Sequence, residues 1–124
     1  MTQQQRGAGG IDFEALRRSI EQRDLEALVD LYADDAEYQR IDRNSTPSAP
    51  MVVRGKEAIA EYWRDVLGRE MSHHLQEEVI GEERIAFNDA CEYPDGMRVL
   101  GAENLEVRDG KIVRHVSVQA WDEE

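Results

Sequence analysis

The stretch MRVLGAENLEV, residues 97–107, decides the fold when it is read two residues at a time. Met97, Val99, Gly101, Glu103, Leu105 and Val107 fall on one side of an extended strand, with Arg98, Asn104 and Glu106 on the other. Alternate side chains of a strand point to opposite faces, so the first set is predicted to be buried and the second mostly wet. Glu103 then stands in the middle of an apolar face. An unpaired buried carboxylate costs several kcal/mol, so the position holds either a satisfied structural acid or a working one. The run before it repeats the pattern, because Ile85, Phe87, Asp89, Cys91 and Tyr93 share one face and Asp89 lies among them. Each acid could instead sit at a bulge or strand end and reach solvent. Two neighbouring antiparallel strands that each offer an acid to one interior favour a pocket with a polar floor.

Working outward, four extended runs fill the C-terminal half, at residues 72–80, 84–93, 97–108 and 111–121. Gly81-Glu82, Pro94-Asp95-Gly96 and Asp109-Gly110 separate them, and the last pair is the strongest hairpin signal in the chain. Toward the N-terminus the period changes. Phe13, Leu16 and Ile20 recur at helical spacing behind Asp12 as a cap, and Leu25, Leu28, Val29 and Tyr32 form a second helical stripe behind Asp24. A strand at residues 36–41 sets Tyr38 and Arg40 opposite Glu37 and Gln39. RNSTPSAP, residues 43–50, reads as a loop, either a lid or an idle insertion. A short strand at residues 51–53 leads to KEAIAEYWRDVLG, residues 56–68, with Ile59, Trp63, Val66 and Leu67 at helical spacing. Gly68 is expected to end this helix in the left-handed conformation.

Helices first and a strand meander afterwards predict an α+β fold. The expected form is a cone-shaped, curved antiparallel sheet wrapped by three N-terminal helices, a cystatin-like roll enclosing a pocket. Residues 1–10, MTQQQRGAGG, are predicted to be a disordered tail, leaving residues 11–124 as a single domain.

A net charge of −12 disfavours nucleic acid and anionic membranes as partners. With no apolar run of spanning length and no signal-like start, a cytoplasmic location is the expectation. The single cysteine, Cys91, cannot pair within the chain and reads as a small buried hydrophobe. His73 and His74 are adjacent and point to opposite faces of a strand, so they cannot chelate together; no metal site and no cofactor are predicted.

The order of elements, with DLEALVDLYADDAEY at 24–38, GKEAIAEYW at 55–63 and the DGKIV turn at 109–113, resembles the nuclear transport factor 2-like superfamily. The similarity is to its SnoaL-like polyketide cyclase and ketosteroid isomerase branches, and it covers nearly all of the chain after Gly10. In the steroid isomerases a helix tyrosine and a late-strand acid hold the oxyanion while another acid moves the proton. The resemblance places those positions at Leu16, Glu103 and Arg40, so it implies that this chain is not a steroid isomerase by that mechanism. It also implies that Tyr38, Arg40, Tyr62, Phe87, Asp89, Cys91, Glu103, His115, Ser117 and Gln119 turn inward. Alternation alone would have buried Val116 and Val118 instead of His115 and Ser117. The resemblance reconciles the two by covering both faces, one with the pocket and one with a second copy of the chain in a homodimer.

Glu103, Asp89 and His115 are the catalytic candidates: one would take a proton from carbon or water while a protonated neighbour donates to the developing oxyanion. Arg40 would bind a carboxylate or steady an enolate, or else would form an internal ion pair. Trp63, Trp121 and His73 complete the expected pocket lining. Two classes of function stay open. One is a cofactor-free acid–base enzyme (isomerase, cyclase, dehydratase or hydratase) for a small apolar carbonyl or polyketide-like substrate. The other is a non-catalytic binding or dimerisation module.

Overall fold

The computed structural model describes residues 7–8 and 10–122. Its elements run β1 (Gly7–Ala8), β2 (Ile11–Asp12), α1 (Phe13–Glu21), α2 (Leu25–Val29), β3 (Tyr32–Ile41), β4 (Met51–Arg54) and α3 (Lys56–Leu67). The meander follows as β5 (Ser72–Ile80), β6 (Arg84–Glu92), β7 (Arg98–Arg108) and β8 (Lys111–Trp121). Of the expected tail, Gly7–Ala8 pairs with Ile11–Asp12 and the remainder up to residue 9 lies outside the described residues. Among the described residues no helix is long and apolar enough to cross a membrane.

Local chemistry sets the helix starts. Asp12 accepts from Glu14 N (3.1 Å) and Asp24 from Ala27 N (3.2 Å), each satisfying a backbone donor that the first helical turn leaves open. The end of α3 differs from expectation. Gly68 has φ −79°, not a left-handed value, and glycine fits there because a Cβ would lie 3.0 Å from the Arg64 carbonyl oxygen. Asp109 (φ 53°) and Gly110 (φ 79°) both take positive φ, the geometry of the type I′ turn, and join β7 to β8.

The expected cone of antiparallel strands is corrected by the sheet itself. Six strands lie in the order β4-β3-β8-β7-β6-β5, so the sheet is open, with β4 and β5 as its two edges. It is also mixed, because β3 runs parallel to β8, with Tyr38 opposite His115 and Arg40 opposite Ser117. The periodicity of the meander sees only consecutive, antiparallel neighbours; the parallel pair joins the first long strand to the last, and no local pattern announces it. The helices still pack over one face, and Phe13, Leu16, Ile20, Ile59 and Trp63 meet Phe87, Leu105 and Ile112 in the core.

Two bulges decide which side chains point inward. In β8, Arg114 and Ile112 pair with the consecutive residues Glu106 and Val107, so Val113 is the extra residue. The phase of the strand reverses there, and Ile112 and His115, of opposite parity, are both buried. In β5 the register shifts between Gln76 and Val79 around Glu77 (φ 57°), which turns Val79 out to 67% exposure while His73 and Leu75 stay buried.

Candidate functional site

Pairing across the sheet sets the inward residues in rows. Arg40, Ser117, Glu103 and Phe87 form one row, Gln119, Gly101, Asp89 and Leu75 the next, and Trp121, Val99, Cys91 and His73 a third. Between these rows and α3 lies a cavity of about 50 Å³. The helix side is formed by Tyr62, Trp63 and Val66, and the sheet side includes Tyr38, Arg40, His73, Asp89 and Glu103.

Glu103 is the sink of a directed hydrogen-bond chain. Its Oε1 accepts from His115 Nε2 (2.6 Å) and its Oε2 from Ser117 Oγ (2.8 Å). Behind His115, Nδ1 lies 2.8 Å from the Tyr32 hydroxyl, whose oxygen already accepts from Trp63 Nε1 (3.0 Å). An indole N–H only donates, so Tyr32 accepts from Trp63 and keeps its own O–H to offer His115 Nδ1, while the other ring nitrogen of His115 faces Glu103. On the other flank Gln119 Nε2 donates to Ser117 Oγ (3.2 Å), and Trp121 Nε1 to Gln119 Oε1 (3.4 Å). Every donor in the chain therefore aims toward Glu103. Burial holds the Tyr32 hydroxyl far above the ordinary phenol range, so it remains a donor.

Gly101 makes this arrangement possible. The Glu103 carboxyl folds back along its own strand, and a Cβ at Gly101 would collide with Oε2.

Asp89 is held differently. His73 Nδ1 donates to Oδ2 (2.9 Å), but Oδ1 is buried with no hydrogen-bond partner, and so is His73 Nε2. Cys91 Sγ stands 3.4 Å from His73 Nδ1 and donates to the Asp89 carbonyl (3.7 Å). Burial first, then the neighbouring Asp89, pushes the thiol well up from its usual value, so it is no nucleophile at neutral pH. His73, Asp89 and Cys91 nevertheless bring three metal-ligand atom types within 4.8 Å of one another. The set is invisible in the linear spacing because β5 and β6 supply it jointly.

Tyr38 donates to the Tyr62 oxygen (3.1 Å), which leaves the Tyr62 O–H free to donate. Burial is the largest influence on Tyr62 and raises its pKa, so it too stays protonated.

A SnoaL-like domain family model matches residues 13–115. The chain belongs to the SnoaL-like domain family. Solved structures agree on the fold. An NTF2-like protein of unknown function from Mesorhizobium loti is 19% identical with TM-score 0.75, covering 87% of each chain. A SnoaL-like protein of unknown function from Burkholderia thailandensis is 19% identical with TM-score 0.66, covering 90% of this chain and 92% of that one. An NTF-2 like protein of unknown function from Burkholderia xenovorans is 17% identical with TM-score 0.71, covering 90% and 80%. No curated protein gave a significant sequence match.

In this SnoaL-like domain Tyr38, Arg40, Tyr62, Trp63, His73, Asp89, Cys91, Glu103, Gln119 and Trp121 line the cavity. His115, Ser117 and Phe87 are buried on the same face but lie behind the lining, the first two under Glu103 and Phe87 against Phe13 at 5.8 Å between ring centroids. Residues 43–50 contribute nothing to the lining. Sequence reasoning missed Tyr32, assigned to a helical stripe, and Arg69 and Met71, which enter from the turn after α3. The burial of Tyr32 follows from β3 starting four residues earlier than its alternation showed.

Proposed function

We propose that this SnoaL-like domain is an acid–base enzyme that moves a proton at carbon next to a carbonyl, without a bound cofactor, in a compact substrate. The observation that carries this reading is the buried, unpartnered Oδ1 of Asp89, a residue of the cavity lining, with Oδ2 fixed by His73. Oδ1 accepts the carbon-bound proton, and the Tyr62 O–H donates to the enolate oxygen as charge develops there. Return of the proton from Asp89 to a different carbon gives isomerisation; attack of the enolate on a second carbonyl, with the Asp89 proton passing to the new alkoxide, gives cyclisation. Glu103, held by His115 and Ser117, keeps the floor rigid. Asp89→Asn should slow solvent deuterium exchange into a panel of small ketones by roughly 10²- to 10⁴-fold, followed by NMR. Exchange that is equal in wild type and variant, with only ligand affinity altered, would leave a binding module instead.

The outer sheet face supports a homodimer in the same reading. Leu100 is 47% and Val118 44% exposed there, and a second copy would cover them. A monomeric mass by light scattering at micromolar concentration would remove that part of the proposal.

A further inference from the structure

We infer that the ligand of this cavity carries a carboxylate, taken by Arg40, and that it is a short oxo acid rather than a neutral ketone. This rests on the acid–base reading of the same cavity and adds the substrate class to it.

The side chain of Arg40 is only 24% exposed, so β3 has taken a permanent cation into the wall of a pocket. Among the described residues its one acid within ion-pair distance is Asp42, whose Oδ2 lies 3.2 Å from Nε. The contact is short but misaligned for a hydrogen bond, and Nε is otherwise unpartnered. Asp42 is itself fixed, because its Oδ1 accepts from the backbone N–H of Asn44 (2.9 Å) and Ser45 (2.8 Å). It grips the guanidinium by its Nε side, with the Tyr62 ring 5.9 Å from Cζ. The terminal nitrogens, which also reach the Tyr62 hydroxyl, form the fork that matches a carboxylate. Arg69, the other cation on the lining, is already engaged by Asp65 (2.6 Å) and Tyr93 (3.4 Å). Glu103 and Asp89 each hydrogen-bond a histidine and not Arg40.

Size narrows the class. A cavity of about 50 Å³ has room for roughly four water-sized groups at 10–15 Å³ each. Pockets for drug-sized ligands run to roughly 300–1,000 Å³. A volume this small suits a compact chain better than a steroid or polycyclic skeleton. Two acids on β6 and β7 disfavour a dianion such as a phosphate, and a single carboxylate anchored on β3 lies at the far side of the sheet from Asp89. The ketone and its neighbouring carbon then extend toward Asp89.

The test is calorimetric titration of the full chain with 2-oxobutanoate, with butan-2-one, which replaces the carboxylate by a methyl, and with butanoate, which lacks the ketone. The expected result is 2-oxobutanoate at least tenfold tighter than butan-2-one, and that preference lost in Arg40→Gln and partly kept in Arg40→Lys. Equal binding of the oxo acid and butan-2-one, no saturable binding of the oxo acid, or binding unmoved by Arg40→Gln in a variant with native circular dichroism would each overturn the inference. The wild-type comparison needs no variant and stands even if Arg40→Gln does not fold. Asp89→Asn separates the two proposals: retained oxo-acid binding with lost exchange at C3 supports both. Retained binding with unchanged exchange sinks only the acid–base reading, and a lost carboxylate preference with Asp89-dependent exchange sinks only this one.

Discussion

Replacing Gly101 with alanine adds one methyl group, and the structure says where it goes. Gly101 does not have positive φ, so the backbone accepts alanine, and lower unfolded-state entropy alone would stabilise the chain by about 0.4–1 kcal/mol. The new Cβ would clash with Glu103 Oε2, the atom that accepts from Ser117. Glu103 cannot swing aside without releasing that bond, since His115 holds its other oxygen. A hydrogen bond to a charged group is worth about 1.5–3 kcal/mol, and crowding in a packed interior costs about 1–3 kcal/mol more. The net destabilisation is therefore about 2–5 kcal/mol, a fall in Tm of roughly 10–20 °C for a domain of this size. Urea denaturation of Gly101→Ala, Glu103→Ala and the double variant gives the coupling directly. With the carboxyl gone, Gly101→Ala should cost less than about 0.5 kcal/mol or become stabilising. If alanine costs the same in both backgrounds, the account of Gly101 as the space for a folded-back carboxylate is wrong.

Tyr32→Phe leaves Trp63 Nε1 and His115 Nδ1 without their shared partner. At about 1–3 kcal/mol for each orphaned group, urea unfolding should show a loss of about 2–6 kcal/mol, and a loss below 1 kcal/mol would contradict the directed chain. Cys91 should react with iodoacetamide at pH 8 at least a hundredfold more slowly in the folded than in the urea-unfolded protein, because burial raises its pKa. The same shift, together with those of Tyr32 and Tyr38, sets the alkaline limb of stability. These groups stay neutral in the fold but ionise at about 8.5 (thiol) and 10 (phenols) once unfolded, so their contribution is complete below those values and lost as pH rises above them. Stability should fall above about pH 9, by up to roughly 1.4 kcal/mol per pH unit for each group, with the earliest part absent in Cys91→Ala; a flat profile to pH 11 would refute this. Asp24→Ala should cost about 1 kcal/mol through its cap on α2, read by thermal melting.

How much of this was legible follows from the range of each interaction. The alternation in residues 97–107 carried the burial of Val99, Glu103, Leu105 and Val107, because a strand without bulges repeats faithfully every two residues. Asp109-Gly110 marked its turn because few residue pairs tolerate positive φ twice. Alternation failed in β8, where Val113 resets the phase; only the family resemblance placed His115 and Ser117 inward. The face shared by His73 and Leu75 likewise does not continue to Val79, because Glu77 takes the left-handed region with no glycine to mark it. The meeting of His73 with Asp89 needed the β5–β6 register, and the openness of the sheet needed the parallel β3–β8 pair. Neither is encoded within a window of neighbouring residues. Arg40 was recognised as a pocket cation, but its anchor, Asp42, sat one residue before the loop that drew notice.

The parallel pairing of β3 with β8 also bears on how the chain matures on the ribosome. Tyr32 and His115 are 83 positions apart, so the strand holding Tyr38 and Arg40 is synthesised long before the strand that completes its hydrogen bonding. Until β8 emerges, one flank of β3 is exposed, and Glu103 lacks both of its donors. Nascent chains stalled before residue 111 should therefore be protease-sensitive and dependent on chaperones, acquiring a closed interior in a single late step.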